Sequence, residues 1–449
     1  MPSLAVAILA AGKSTRMKSK TVKVLHPLAG VPIIHYVLST AANIQPTRIV
    51  LVIGHGGQQI KDAIGPGPIY VEQGELLGTG HALLQARPAL EGQADTILCL
   101  YGDMPLLRSE TLRRLIAAHQ AARAVVTLLT VSGDDSMGFG RIVRDAGGHV
   151  QAIVEEKVAS PAELAIKEYN CGVYCFQSDW LWPRLTHLPV SPAGEFYLTD
   201  MVAVAVREGK PVQTLPCDDV TEVLGINNRV QLAQAEAIVR DGIRRNLMLN
   251  GVTMIDPATT YIDATVTIAA DTVIYPNTLI EGATRIGADC QIGPNSQIRD
   301  STIGDHCRIW ASVVEEAVVR DHVSIGPFSH LRPGAQIGEG THIGNFAEIK
   351  NSTLGRHVHM GHVSYMGDAT VGDDVNIGAG TITCNFDGIQ KNPTTIEDGA
   401  FVGSDTMLVA PVKVGKRART GAGSVVTHDV PADSLAYGVP AKVVKKAET

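Results

Sequence analysis

The chain has 449 residues, 45% of them hydrophobic and 18% charged, a length that suits two domains better than one core. A net charge of −7 argues against a nucleic acid or an anionic membrane as partner, and no apolar run reaches spanning length. With 45 glycines and only 4% aromatic residues, the composition points to repetitive packing of aliphatic and small side chains.

Residues 4–10 form an apolar strand that ends at Ala11-Gly12-Lys13-Ser14-Thr15-Arg16-Met17. The start of the chain is too short and badly flanked for a signal peptide. A strand, a glycine turn and then basic residues is the layout of a phosphate cradle, where backbone N–H groups and cations meet a polyanion. A P-loop would need glycine five residues before Gly12, and position 7 is alanine; a GxGxxG fingerprint is absent as well.

A second apolar strand, Thr96 to Tyr101, ends at Gly102-Asp103. Ligands bind at the carboxyl edge of a parallel sheet, and a hard oxygen donor there suits Mg²⁺. A turn aspartate or a helix cap is the plainer reading of Asp103. Cys171 and Cys175 share one face of a strand-like stretch and read as buried thiols. The seven scattered cysteines, without CxxC pairs, point to a reduced, cytoplasmic chain. Residues 229–247 read as one helix, so Asn227 is a candidate N-cap.

From residue 262 onward a period of six takes over. Isoleucine recurs at 262, 268, 274, 280, 286, 292 and 298, and the ladder resumes at Ile303 and Ile309. Further rungs are Ile325, Leu331, Ile337, Ile343, Ile349, Leu354, Met360, Met366, Val371, Ile377 and Thr383, and then Ile396, Val402, Leu408, Val414, Thr420 and Val426. Period six is neither helix nor hairpin. Short strands pointing one aliphatic inward, three to a triangular coil, would stack these residues into a column. The slip between Thr383 and Ile396 predicts a loop leaving the column around Cys384-Asn385-Phe386-Asp387-Gly388.

The front motifs occur in an order that resembles the sugar-phosphate nucleotidyltransferases. They are Leu9-Ala10-Ala11-Gly12 through Met17, Lys23-Val24-Leu25, Gln73, Leu77-Gly78-Thr79-Gly80-His81, Tyr101-Gly102-Asp103, Gly138-Phe139-Gly140-Arg141, Glu155-Glu156-Lys157, Asn170-Cys171-Gly172 and Gly225-Ile226-Asn227. Ser14 and Val22 depart from that pattern, standing where glycine and proline are usual. The repeat resembles the left-handed parallel β-helix family, and the handedness is taken from that resemblance.

Nucleotidyltransferase, helix and hexapeptide repeat, in that order, resemble the bifunctional N-acetylglucosamine-1-phosphate uridyltransferase/glucosamine-1-phosphate acetyltransferase family over nearly the whole chain. The implied fold is an α/β Rossmann-like domain over 1–226, a linker helix over 227–249 and a left-handed β-helix over 250–449. The implied activity is acetyl transfer from acetyl-CoA to glucosamine-1-phosphate, then uridylyl transfer from UTP, feeding peptidoglycan and lipopolysaccharide precursors. The resemblance places UTP and UDP-N-acetylglucosamine on Leu9, Ala10, Ala11, Gly12, Lys23, Gln73, Gly78, Thr79, Tyr101, Gly102, Asp103, Gly140, Glu155, Asn170 and Asn227. It puts Mg²⁺ on Asp103 and Asn227, with Arg16 and Lys23 steadying the reacting phosphates. Arg332, Lys350, Tyr365 and Asn376 would hold glucosamine-1-phosphate. Ala379, Asn385, Phe386, Ser404 and Ala422 would line the acetyl-CoA groove.

His362 is the expected general base, since imidazole titrates near neutrality. A metal site on His357, His359 and His362 is the rival reading. Gly438 stands where relatives can carry an arginine, leaving Lys442 or Lys445 as candidates to face the CoA phosphates. A homotrimer is implied by the family. Two other readings remain: a pyrophosphorylase of another hexose phosphate with a passive β-helix, and a non-enzymatic trimeric scaffold.

Overall fold

Strand Leu4–Ala10 alternates its side chains between two apolar layers. Ala5, Ala7 and Leu9 pack into one, and Val6, Ile8 and Ala10 into the other. A strand covered on both faces must be apolar throughout, which is why the segment reads as an unbroken hydrophobic run. The computed structural model describes residues 2–191 and 194–446, the side chains of Lys445 and Lys446 excepted. None of its helices is long and apolar enough to cross a membrane.

The chain divides into two units, Met1–Val239 and Arg240–Thr449. In the first, the sheet runs Val212–Pro216, Val126–Ser132, Glu168–Gln177, Thr96–Tyr101, Leu4–Ala10, Arg48–Ile53 and Ile69–Glu72. Glu168–Gln177 is antiparallel to both neighbours, and the other pairings along this path are parallel. Leu9 lies beside Tyr101 in register, so the glycine loop and Asp103 emerge from adjacent strands at the same edge. The register of Glu168–Gln177 shifts between Asn170 and Tyr174, an irregularity that falls on the Asn170-Cys171-Gly172 motif. Cys171 and Cys175 are both buried.

The second unit is a parallel β-helix. Ile262 pairs with Ile280, Ile280 with Ile298, and the same column continues through Val314, Leu331, Ile349 and Met366. Three short strands make each coil, and one buried core runs along the interior. Two rungs that the sequence pattern did not reveal, Val314 and Val319, fill the gap between Ile309 and Ile325. The coil there is shortened, so these rungs fall five residues apart rather than six. Thr383 is an inward rung despite its hydroxyl, because Oγ1 donates to the carbonyl of Gly367 at 3.2 Å. Strand Ile382–Cys384 is followed by a loop that returns at Thr394–Ile396, with Phe386 and Lys391 bridged across it.

Helix Arg229–Leu249 belongs partly to each unit. Leu232, Ala235 and Val239 pack into the first, and Ile243 and Leu247 against the column of the second.

Two candidate active sites

At the carboxyl edge of the front sheet lies a cleft of about 770 Å³. It is lined by Leu9, Ala10, Ala11, Gly12, Arg16, Lys23, Gln73, Gly78, Thr79, Tyr101, Asp103, Gly140, Glu155, Asn170 and Asn227. Gly102 is the one expected residue behind the wall: a Cβ there would come within 3.1 Å of the Ala10 side chain.

The charged end of the cleft is built from four segments of the chain. Lys23 donates to the Asp103 carboxylate and, at 3.0 Å, to Asn227 Oδ1, which also accepts from Arg16 at 2.9 Å. The lysine and aspartate side chains are only 15% and 20% exposed. A carboxylate oxygen and an amide oxygen thus converge on one cation, a hard donor pair suited to Mg²⁺.

Asn227 does not cap the following helix. Asn228 does, its Oδ1 accepting from Gln231 N at 2.9 Å, while Gln231 reaches back to the Asn227 N–H at 2.8 Å. The neighbouring amides divide the two roles, and Asn227 is left facing the cleft.

The opposite end carries Glu155 and Glu195 among uncharged groups. Gln73 donates to the Gly78 carbonyl at 3.1 Å, and Thr79 Oγ1 accepts from Leu198 N at 3.0 Å. Asn170 Nδ2 donates to the Tyr174 hydroxyl at 2.7 Å. Gly172 has φ +80°, and a Cβ on it would run into the ring of Tyr101. Burial pushes the Glu155 carboxyl above the ordinary range, Asp200 and Glu195 push it further, and the hydroxyl of Thr199 opposes the shift.

The departures in the loop also have a geometry. Ser14 sits at φ 57°, ψ 30°, a left-handed conformation that glycine adopts without strain. Val22 is buried at φ −59°, within the range proline imposes.

On the β-helix, Arg332 and Lys350 follow the paired rungs Leu331 and Ile349, one coil apart. Arg332 donates to Glu348 at 2.7 Å. Lys350 lies beside Lys391 of the loop, and that neighbouring cation, burial and the charge of Arg332 lower its pKa, with Asp368 opposing them. Two ammonium groups held this close to a guanidinium form a site for a dianion. Lys391 escaped the sequence reading because no local pattern connects the loop to Lys350.

Asp368 closes this site. Burial works against its charge, but donors from Asn351 and Asn385, both at 2.6 Å, and the two lysines hold its carboxyl low. Gly367 makes room beside it: a Cβ there would overlap the Tyr365 hydroxyl and approach Asn385 Nδ2 at 2.8 Å. Tyr365, Asn385 and the phosphate-type cluster therefore lie together. Asn376 does not join them within the chain. It stands in another outward row, after His342 and His359.

His362 is exposed and pairs in register with Asn345. In the coils that follow, the same position is taken by Ala379, Ser404 and Ala422, so three of the five expected acetyl-CoA residues form a column of small side chains leading away from the imidazole. Phe386 is 61% exposed on the loop. The rival metal reading finds no support: no group of three ligating side chains suited to a metal occurs among the described residues. His359 instead lies beside His342, the rings 6.3 Å apart, and His357 occupies a corner at φ 55°.

Comparison with known proteins agrees with this division. Residues 6–188 match a MobA-like NTP transferase domain. Residues 283–314 and 316–351 match the bacterial transferase hexapeptide, and 393–428 the hexapeptide repeat of succinyl-transferase. The second unit is thus a hexapeptide-repeat left-handed β-helix. The chain is similar to the bifunctional protein GlmU of Heliobacterium modesticaldum, 48% identical over 96% of this chain and 94% of the relative. It is also 48% identical to that of Pelobacter propionicus over 97% and 96%, and 47% identical to that of a Geobacillus species over 98% and 96%.

Proposed function

The chain belongs to the bifunctional GlmU family, and on that premise we propose that it makes UDP-N-acetylglucosamine in two consecutive steps, one in each unit. The observation that carries this reading is that a single chain holds two separate polyanion sites. One is the Arg16, Lys23, Asp103 and Asn227 cluster in the nucleotide cleft, and the other is the Arg332, Lys350 and Lys391 cluster on the β-helix.

In the first step the amine of glucosamine-1-phosphate attacks the thioester carbonyl of acetyl-CoA, and the thiol leaves. Arg332, Lys350 and Lys391 hold the sugar phosphate, while Tyr365 and Asn385 orient the sugar. His362 accepts the proton that the amine loses as the C–N bond forms. The small-residue column gives the pantetheine arm a path to that imidazole.

In the second step a phosphate oxygen of N-acetylglucosamine-1-phosphate attacks the α-phosphorus of UTP, the bond to the β-phosphate breaks and pyrophosphate leaves. The backbone of Leu9 to Gly12 lies along the nucleotide, and Arg16 and Lys23 offset the charge that builds up. Asp103 and Asn227 would hold Mg²⁺, which supplies positive charge to the phosphates. No side-chain nucleophile is needed, so positioning and electrostatics do the catalysis.

We further infer a homotrimer around the β-helix. Phe328 and Phe346 stack 5.3 Å apart and, with Val363, form an apolar corner ridge whose members are 61, 59 and 57% exposed. The separation of Asn376 from the phosphate cluster also supports a site completed between copies. The test of the reading is Mg²⁺-dependent pyrophosphate release from UTP and N-acetylglucosamine-1-phosphate. It should fall by about 10²–10³-fold in Asp103→Ala, and release at the wild-type rate there would overturn the assignment.

A further inference from the structure

Asp368 stands at a corner of the β-helix, at φ 52°, and its N–H donates to the Lys350 carbonyl at 3.1 Å. Its carboxylate holds amides from two other segments, Asn351 Nδ2 on one oxygen and Asn385 Nδ2 on the other, both at 2.6 Å. Asn385 is only 7% exposed, so its Nδ2 needs an acceptor within the protein, and Asp368 supplies it. The carbonyl of Asp368 accepts from Thr394 N at 3.2 Å. One residue thus fastens both ends of the loop between Cys384 and Thr394, its side chain the outgoing end and its backbone the returning end.

The loop is braced from within. Asp387 Oδ1 accepts from the N–H groups of Ile389 and Gln390, both at 2.8 Å, and Oδ2 accepts from Asn392 Nδ2 at 2.9 Å. Asn392 N donates in turn to the Asn385 carbonyl at 2.7 Å. Its tip stands clear of the column, with Ile389 92% exposed. A braced loop moves as one body about its ends, so the grip on those ends decides where Lys391 lies. Lys391 is beside Lys350, and Arg332 is the third cation. By charge alone, a carboxylate among these three weakens their attraction for a dianion. The hydrogen bonds of Asp368 give it the opposite role.

We propose that Asp368 is a positioning residue of the acetyl-transfer site: by fastening both ends of the loop it keeps Lys391 against Lys350, and so strengthens binding of the sugar phosphate. This rests on the reading of the β-helix as an acetyltransferase, and it adds a residue that assembles the phosphate contacts through others.

The test measures acetyl transfer by the full-length enzyme carrying Asp368→Gly, Lys391→Ala or both, with uridylyl transfer and thermal unfolding as folding controls. Glycine suits this left-handed corner, and Gly334, at φ 83°, takes it two coils earlier. Asp368→Gly should raise KM for glucosamine-1-phosphate about tenfold, the loss expected for one charge-assisted contact, and Lys391→Ala should do the same. The double variant should match Lys391→Ala within about twofold, because the grip then has no lysine to position. Asp368→Asn keeps one acceptor oxygen and tolerates the corner. It should give a smaller rise in KM, and it carries the test if the glycine variant does not fold. A KM left unchanged or lowered by loss of the carboxylate would overturn the role of Asp368. So would a full tenfold rise on top of that of Lys391→Ala. Absence of acetyl transfer from the wild-type enzyme would instead overturn the acetyltransferase reading, and this proposal with it.

Discussion

Asp103, after strand Thr96–Tyr101, and Asn227, before helix Arg229–Leu249, direct their side-chain oxygens at the same ammonium, that of Lys23. The lysine bridges a carboxylate oxygen and an amide oxygen, a hard donor pair suited to a divalent cation. Asp103→Ala should lower uridylyl transfer by about 10²–10³-fold, the scale for losing a principal electrostatic contact in a transition state. Acetyl transfer should be unaffected, and steady-state assays of both half-reactions on one preparation check this.

The adjacent amides Asn227 and Asn228 should separate stability from catalysis. Asn228→Ala removes the helix cap and should cost about 1 kcal/mol in denaturant unfolding of the front unit, with uridylyl transfer nearly intact. Asn227→Ala should leave stability close to wild type and raise the Mg²⁺ concentration needed for half-maximal rate. A magnesium titration of both variants distinguishes them.

Glu155 gives a pH dependence with a definite sign. Its carboxyl is raised in the folded protein, so it favours folding when protonated, and that contribution is lost as pH rises through the folded-state value. Glu155→Gln removes the penalty of a buried charge. The variant should melt about 2–4 °C higher than wild type at pH 8. The difference should shrink at acidic pH, and thermal unfolding at two pH values reads it directly.

The loop departures predict gains in stability. Val22→Pro matches a φ already held at −59° and should stabilise by about 0.4–1 kcal/mol through the unfolded chain. Ser14→Gly relieves a left-handed residue and should act in the same direction by up to about 1 kcal/mol. Calorimetry of the single variants checks both.

The repeat was legible because most inward rungs are aliphatic and recur every six residues. It became illegible where the coil shortens and Val314 and Val319 fall out of step. The nucleotide cleft was legible because its residues sit in short motifs at strand ends. The cap at Asn228 was not, because two consecutive asparagines are equivalent in sequence and only the chain's path separates them. Lys391 was hidden for a different reason: the loop meets Lys350 through the winding of the coil, which no local pattern records.

Product analysis by mass spectrometry, from one mixture of glucosamine-1-phosphate, acetyl-CoA, UTP and Mg²⁺, tests the pairing of two activities on one chain. Wild type should give UDP-N-acetylglucosamine and pyrophosphate. Asp103→Ala should stop at N-acetylglucosamine-1-phosphate, and His362→Ala should leave glucosamine-1-phosphate unconverted. Acetylated product formed at the wild-type rate by His362→Ala, or a wild-type mixture with no acetylated sugar, would contradict the β-helix as the second catalytic unit.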